Sequence, residues 1–462
     1  MNQIQIFKNY LAYAKLDVKQ HQIEGVEWLL NKELNNQKGG ICADEMGLGK
    51  TIQMIGLIVA NQKANTLIIL PVSLLSQWES QIEKTLGFKP LVYYGKEKYD
   101  IDMKLLNLSP ITLTTYGQLL SDHCTLFDKR WNRIIYDEAH HLKNKSTRLW
   151  NIQSRLIRDY TWLVTGTPIQ NRKSDIKSLF SLIGLRDVGQ NWEQYIDEYI
   201  LKRTKQECDI KLPNVIKNNV HVPFERDIEN QTQVEKEISR ELHSGLSFMH
   251  INLENSDRLI SNYLSTVERL ALIIQCRQMC IFPKLLKMRL DITKSICDLD
   301  DDDCFMFGEA VSCSSKLNKV CEDLRSNRNG KSKLVFCNYK SEIDYLYREC
   351  LTMGYKTAKI DGRTSNSNRK IIIEGSYDVL ILQIYTCSEG INLQKYSEIY
   401  ITSPNWNPAI EDQAIGRCHR IGQTQEVSVY RYIMENFDEE GKEKSLDNHI
   451  EKLQELKREF YI

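Results

Sequence analysis

Two short stretches hold residues whose types and spacing can do chemistry. "ADEMGLGKTIQ" (43–53) sets Gly47, Gly49, Lys50 and Thr51 in most of the pattern G-x-x-x-x-G-K-[ST], that of a phosphate-binding loop. Backbone N–H groups cradle the phosphates in such a loop, the glycines permit the tight path, and the following helix turns its positive dipole end to the anion. The pattern asks for a first glycine at position 44, where this chain has Asp44. Gly49-Lys50-Thr51 by itself fits an ordinary turn before a helix equally well. "RIIYDEAHH" (133–141) decides between the two, because there an apolar run ends in Asp137 and Glu138. Adjacent carboxylates at the end of a buried strand are costly unless a metal ion or another partner meets them. Beside a phosphate loop, Asp137 supports Mg2+ and Glu138 orients or deprotonates an attacking water. Lys50 then reaches the β- and γ-phosphates, and Thr51 holds the metal.

The elements that must position these residues are legible as a rhythm. "TLIILP" (66–71), "ITLTTY" (111–116), "RIIYDE" (133–138) and "TWLVTGTP" (161–168) read as buried strands. Helix-like segments such as 52–60 and 74–85 lie between them. Short apolar runs alternating with amphipathic stretches predict a parallel α/β sheet, in which ligands sit at the carboxyl ends of the strands. From about 225 to 295 charged stretches with helical spacing (Leu264, Val267, Leu270, Ile273) predict helical material without strands. The acidic run "CDLDDDDCF" (297–305) lacks the glycine-punctuated spacing of a calcium loop and reads as a solvated loop. The α/β rhythm returns with "KLVFCN" (333–338), "TAKIDG" (357–362), "VLILQIY" (379–385) and "EIYITSP" (398–404). The expected organisation is an ATP-binding lobe over 1–205, a mostly helical insertion or linker over 206–311, and a second α/β lobe over 312–462.

Composition narrows the class. A chain of 462 residues, 42% hydrophobic and 26% charged, is globular and too long for one ordinary core. No stretch approaches the roughly 20 apolar residues that span a bilayer, and "MNQIQIFKNYLAYAKL" lacks the pattern of a secretion signal. A reducing compartment is expected, and no membrane partner. The 13 cysteines include no C-x-x-C pair, so zinc is not expected. A net charge of zero excludes a bulk cationic nucleic-acid binder but not a local positive track.

The motifs together resemble one family. Asp137-Glu138-Ala139-His140 is a DEAH box, and the set is similar to the SNF2-type ATPases of helicase superfamily 2, in the right order over nearly the whole chain. "QHQIEGVEWLL" (20–30) resembles the adenine-recognition segment, "ADEMGLGKTIQ" motif I, "LIILPVSLLSQWESQIEK" (67–84) motif Ia and "LTTYGQL" (113–119) motif Ib. "DEAHHLKN" (137–144), "LVTGTPIQN" (163–171) and "LKRTK" (201–205) complete the first lobe. "CRQMCIFPKLL" (276–286), "KLVFCNYK" (333–340), "SEGINLQ" (388–394) and "WNPAIEDQAIGRCHRIGQ" (406–423) continue the match, the last being the most specific. An acidic residue at position 44 is common in this family, so Asp44 narrows the reading rather than weakening it.

The resemblance implies two RecA-like parallel-sheet lobes and a set of residue roles. Gln22 contacts adenine, and Asp44, Glu45, Met46, Gly47, Leu48, Gly49, Lys50 and Thr51 form the ATP loop. Asp137 and Thr51 hold Mg2+, and Glu138 activates water. Gln413 faces the nucleotide from the second lobe, and Arg417 and Arg420, spaced to share one helix face, act as arginine fingers. His140, Thr165, Gly166 and Thr167 couple the ATP site to the nucleic acid, and Ser73, Gln77, Thr114 and Thr115 touch the tracked strand. One departure stands out: Cys387 and Ser388 occupy places where the family usually has adjacent glycines. The implied activity is ATP-dependent translocation on duplex DNA, in a nuclear, viral or cytoplasmic DNA-containing compartment. Chromatin, transcription or repair proteins are the implied partners. No reader domain is visible, which with the Asn-, Ile- and Lys-rich composition suggests a minimal motor from a large DNA virus or another AT-rich genome. A strand-separating DNA or RNA helicase and an inactive DNA-binding scaffold are the alternatives.

Overall fold

A computed structural model describes residues 3–121, 124–166, 173–185, 188, 191–224, 235–236, 239–240, 243, 266–285, 314–388, 391–438 and 443–459. The chain divides into two compact units, one running to Leu212 and the other starting at Pro213.

The first unit is built on seven strands: β1 (Gly39–Cys42), β2 (Thr66–Leu70), β3 (Leu91–Tyr93), β4 (Ile111–Thr115), β5 (Arg130–Asp137), β6 (Ile157–Val164) and β7 (Ile200–Leu201). They lie in the order β3-β4-β2-β5-β6-β1-β7, and every pairing is parallel. Side chains alternate across a strand, so a run apolar at every position buries both faces. Leu67, Ile69, Ile134, Tyr136 and Leu163 pack on one face. Ile68, Leu70, Ile135, Trp162 and Val164 pack on the other, against the helices Gln20–Leu34 and Lys50–Ala60.

A buried ion pair fastens these helices to the amino-terminal part of the sheet. Arg133 and Glu33 are both fully buried, with Nη2 2.5 Å from Oε2 and Nε 2.7 Å from Oε1. Trp162 Nε1 and Asn61 Nδ2 also donate to the Glu33 carboxylate, at 2.9 and 2.7 Å. Arg133 Nη2 donates to Asn61 O, just past the end of the Lys50–Ala60 helix.

The second unit has six strands: β8 (Val215–Val222), β9 (Lys333–Cys337), β10 (Thr357–Ile360), β11 (Val379–Gln383), β12 (Glu398–Ile401) and β13 (Val427–Met434). Their order is β10-β11-β9-β12-β13-β8, again all parallel. Val335, Cys337, Val379 and Ile381 fill one face, and Leu334, Phe336, Leu380 and Leu382 the other.

Two features differ from the sequence reading. Residues 215–222, expected within helical material, form the edge strand β8, paired with β13 from Val215↔Val427 to Val222↔Met434. The stretch "VIKNNVHV" is polar because an edge strand is half exposed, so it lacks the apolar run of an inner strand. The helix Thr266–Ile281 is as expected, but Leu272, Cys276, Met279 and Cys280 bury it in the core of the second unit. Leu264 and the acidic run 297–305 lie outside the described residues. Among the described residues no helix is long and apolar enough to cross a membrane, and no group of three or more His, Cys, Asp or Glu is placed to hold a metal ion.

Replacing Glu33 by alanine leaves the Arg133 guanidinium buried without its carboxylate. We expect a loss of about 3–5 kcal/mol, read as an earlier denaturant midpoint in tryptophan fluorescence; an unchanged midpoint would refute the clamp.

Candidate nucleotide site

Strand β1 is buried along its length and delivers the chain to the loop 43–49 at its carboxyl end. Gly47 and Gly49 take φ of +97° and +83°, the left-handed region that favours glycine. At Gly49 a side chain is also excluded by space, since a Cβ there would lie 2.3 Å from Gln22 Nε2. Gly49 caps the helix Lys50–Ala60, so the helix starts where the loop ends and its first N–H groups are free of intrahelical partners. Lys50 Nζ donates to Asp44 O at 2.6 Å. Gly166, at the end of β6, lies close to the same ammonium.

The loop is braced from two sides. Gln22 Nε2 donates to Leu48 O at 3.2 Å, with the ring of His21 3.0 Å from the same carbonyl. On the other side, β7 and the segment after it run alongside the loop: Ala43 N donates to Leu201 O at 2.7 Å and Glu45 N to Arg203 O at 2.9 Å. Lys205 returns its backbone N–H to Glu45 Oε2 at 2.8 Å and its ammonium to Oε1 at 2.9 Å. The Asp44 carboxylate is fully buried. It accepts from Arg203 Nε at 3.1 Å and Nη2 at 2.6 Å, and from Gln53 Nε2 at 2.9 Å. Asp44 therefore braces the loop through Arg203 and Gln53, and its carboxylate is not turned to a ligand.

The carboxylate pair sits at the end of β5. Asp137 Oδ2 accepts from Trp78 Nε1 at 2.7 Å and Oδ1 from the Glu138 N–H at 2.9 Å, while Tyr116 Oη donates to Asp137 O at 2.7 Å. Burial, and then the neighbouring Glu138 charge, push the Asp137 carboxyl up to about 6. Glu138 takes φ of +50°, an uncommon backbone state for a non-glycine residue, which turns the chain sharply after the strand. Glu138 Oε2 lies 3.3 Å from His140 Nδ1. The His140 ring stacks on His141, whose titration is lowered to about 4 by burial and then by His140.

The remaining expected residues of this unit fall into three groups. Thr165 is buried next to Gly166, its N–H donating to Cys42 O at 3.1 Å; Thr167 lies outside the described residues. Ser73 is half-buried and Gln77 exposed, both after β2. Thr114 and Thr115 do not have the exposure a strand-tracking contact needs. Both are buried, and Thr114 Oγ1 donates to Tyr93 O at 2.9 Å because it points into the sheet packing opposite Leu113.

In the second unit the helix Pro408–Cys418 opens on an Asn407 side chain that accepts from Ala409 N, with Pro408 in the first turn. Gln413 and Arg417 on this helix are both buried. The expectation that Arg417 and Arg420 share one helix face does not hold. The helix stops at Cys418, His419 is its cap, and Arg420 lies in the following turn. The two cations remain neighbours, for burial and then the Arg417 charge lower the Arg420 titration. Gln423 pins this exit, donating to Gln394 O at 2.8 Å. Glu389 and Gly390 lie outside the described residues.

The donor set of the first unit fits a magnesium nucleotide. Mg2+ is bound through one or two carboxylates and the substrate's phosphates. Asp137 is a buried carboxylate at the end of β5, and Thr51 lies in the first turn of the helix that follows the loop. Sequence reasoning missed Trp78, Tyr116, Gln53 and Arg203. All four lie inside quoted motifs, but nothing in their spacing names the partners they meet.

Two parallel-sheet units of RecA-like architecture, the first with a glycine loop leading into a helix and a carboxylate pair two strands away, define a helicase-type nucleotide-binding core. More particularly, the chain belongs to the SNF2-related family: an SNF2-related domain matches residues 21–285 and a helicase conserved C-terminal domain residues 315–422. It is 29% identical to a Mycoplasma pneumoniae protein named "Uncharacterized ATP-dependent helicase", over 94% of this chain and 42% of that one. A "Probable global transactivator" of Orgyia pseudotsugata multicapsid polyhedrosis virus is 26% identical over 96% of this chain and 90% of its own length. The chain spans less than half the length of the first curated relatives it matches. The solved Sulfolobus solfataricus SWI2/SNF2 ATPase core in complex with dsDNA aligns with a TM-score of 0.43 at 23% identity, covering 97% of this chain and 92% of that one.

The Trp78 hydrogen bond favours the ionised form of Asp137. In Trp78→Phe, therefore, the carboxyl should titrate above its present value near 6. Carbon-13 NMR of labelled aspartate reads this directly, and an unmoved or lowered midpoint would count against the assigned contact.

Proposed function

We propose that the chain is an ATP hydrolase whose turnover is stimulated by duplex DNA and drives translocation along it, remodelling protein–DNA complexes. The observation that carries this reading is the convergence, at the carboxyl ends of one parallel sheet, of the Lys50 loop and the Asp137–Glu138 pair, in a chain of the SNF2-related family.

Each residue then has a task. Backbone N–H groups of Gly47, Gly49, Lys50 and Thr51 and the Lys50 ammonium bind the β- and γ-phosphates, and Gln22 reads the adenine edge. Thr51 and Asp137 hold Mg2+, which when bound neutralises charge on the phosphates. Glu138 accepts a proton from the water that attacks the γ-phosphorus; the bond to the β–γ bridging oxygen breaks, and ADP and phosphate leave. Arg417 and Arg420 supply positive charge for the transition state, and Gln413, a neutral amide, offers the nucleotide a polar contact. His140 reports the state of Glu138 to Thr165 and Gly166. Ser73 and Gln77 contact phosphates of the tracked strand. The partners are duplex DNA and the proteins bound to it, in a compartment that contains DNA.

The test is steady-state ATP hydrolysis with and without duplex DNA. The unmutated chain should be stimulated by DNA. Glu138→Gln should lose at least about 100-fold in turnover while still binding ATP, and Lys50→Ala should lose binding. Absence of DNA-stimulated turnover in the unmutated chain would end the reading. Triplex displacement without unwinding of a forked duplex is expected; robust unwinding would replace translocation by strand separation.

A further inference from the structure

Arg203 sits at the centre of the loop's bracing without belonging to the chemistry. It is the second residue past β7, and its guanidinium is the main partner of a carboxylate with no exposure to solvent. Nε and Nη2 grip the two oxygens of Asp44 in the fork-to-carboxylate geometry that only arginine offers. Nη1 donates to His21 O at 2.7 Å, and Nη2 also lies 3.3 Å from Gln53 Oε1. One side chain thus joins three pieces that must keep register. These are the loop at Asp44, the helix behind it at Gln53, and the segment that carries Gln22. Its own carbonyl takes the Glu45 N–H, so side chain and backbone of the same residue fix successive loop positions.

We infer that Arg203 is a positioning residue of the nucleotide loop: acting through Asp44, it sets the path of residues 43–45 and the register of Gln22 against Leu48. This inference rests on the nucleotide reading of the loop. Removing the guanidinium leaves the Asp44 carboxylate buried with Gln53 as its remaining side-chain donor, and a buried charge in that state rearranges its surroundings or takes up a proton. Either response shifts the loop before any nucleotide arrives. Lysine supplies the charge but not the fork, so it restores part of the function.

The experiment compares binding of a fluorescent ATP analogue and steady-state hydrolysis for the full chain and for Arg203→Gln, Arg203→Lys, Asp44→Asn and the double variant Asp44→Asn/Arg203→Gln. Arg133→Lys, a buried pair member remote from the loop, serves as a stability control, and all are assayed at a temperature where circular dichroism shows them folded. Arg203→Gln should raise the analogue's Kd and the KM for ATP about tenfold or more, with kcat at saturating ATP within about threefold of the parent. Arg203→Lys should recover part of this loss. The double variant should be no worse than the single ones, because they break the same contact. Arg133→Lys should lower Tm without raising KM. A parent chain that fails to bind the analogue would overturn the nucleotide reading and this inference with it. A parent that binds, beside an Arg203→Gln variant that binds equally well, would overturn the inference alone. So would a KM for Arg133→Lys that rises as much as that of Arg203→Gln.

Discussion

A carboxylate shut away from water must find donors or give up its charge, and Asp44 finds its donors on two other segments. Arg203 comes from the chain leaving β7 and Gln53 from the end of the first turn of the helix that follows the loop. That demand ties the loop to the sheet edge on one side and to the helix on the other. It leaves the glycines at 47 and 49 to turn the chain. The same helix is held at its far end, where Asn61 enters the buried Glu33–Arg133 network. A phosphate loop gains from being fixed before its ligand binds, since ordering it afterwards would be subtracted from affinity.

The sheet imposes a second constraint. Every strand of the first unit runs the same way, so loop, carboxylate pair and the Thr165–Gly166 turn all emerge at one edge. Collecting polar groups there has a stability cost that shows locally. Asp137 is held in a setting that disfavours its charge, and Glu138 is bent into a left-handed backbone state. Trp78 and Tyr116 limit that cost by satisfying the strand end from neighbouring elements. A strained backbone and a carboxylate in a setting that disfavours its charge, at one edge of an otherwise apolar sheet, are where a site is expected, because a core built for stability alone would have neither.

Much of the fold was legible because buried parallel strands are apolar at every position. "TLIIL", "ITLTT", "KLVFC" and "VLILQ" announce themselves this way and are β2, β4, β9 and β11. The polar edge strand β8 was not, since half its side chains face solvent and its partner β13 lies far downstream. The local placement of Lys50 at a loop-to-helix junction and of Asp137 at a strand end followed from spacing. Thr114 was misread because a hydroxyl in a motif looks the same whether it faces a groove or the Tyr93 carbonyl. Arg420 was misplaced by assuming that an i, i+3 pair stays helical, when the helix stops between the two arginines.

The sequence by itself determined the order of the motifs, the parallel α/β class and which residue types stand in the glycine loop and at the end of β5. These follow from residue type and short-range spacing, which a linear chain carries intact. Only the tertiary structure decided what Asp44 does, which residues satisfy Asp137, and where Val215–Val222 and Thr266–Ile281 belong. Those answers depend on which distant donor reaches a buried acceptor, as Arg203 reaches Asp44 and Trp78 reaches Asp137. A pairing of that kind is selected by the cost of leaving a charge or polar group unmet inside the protein, and that cost arises only once the chain has folded around it.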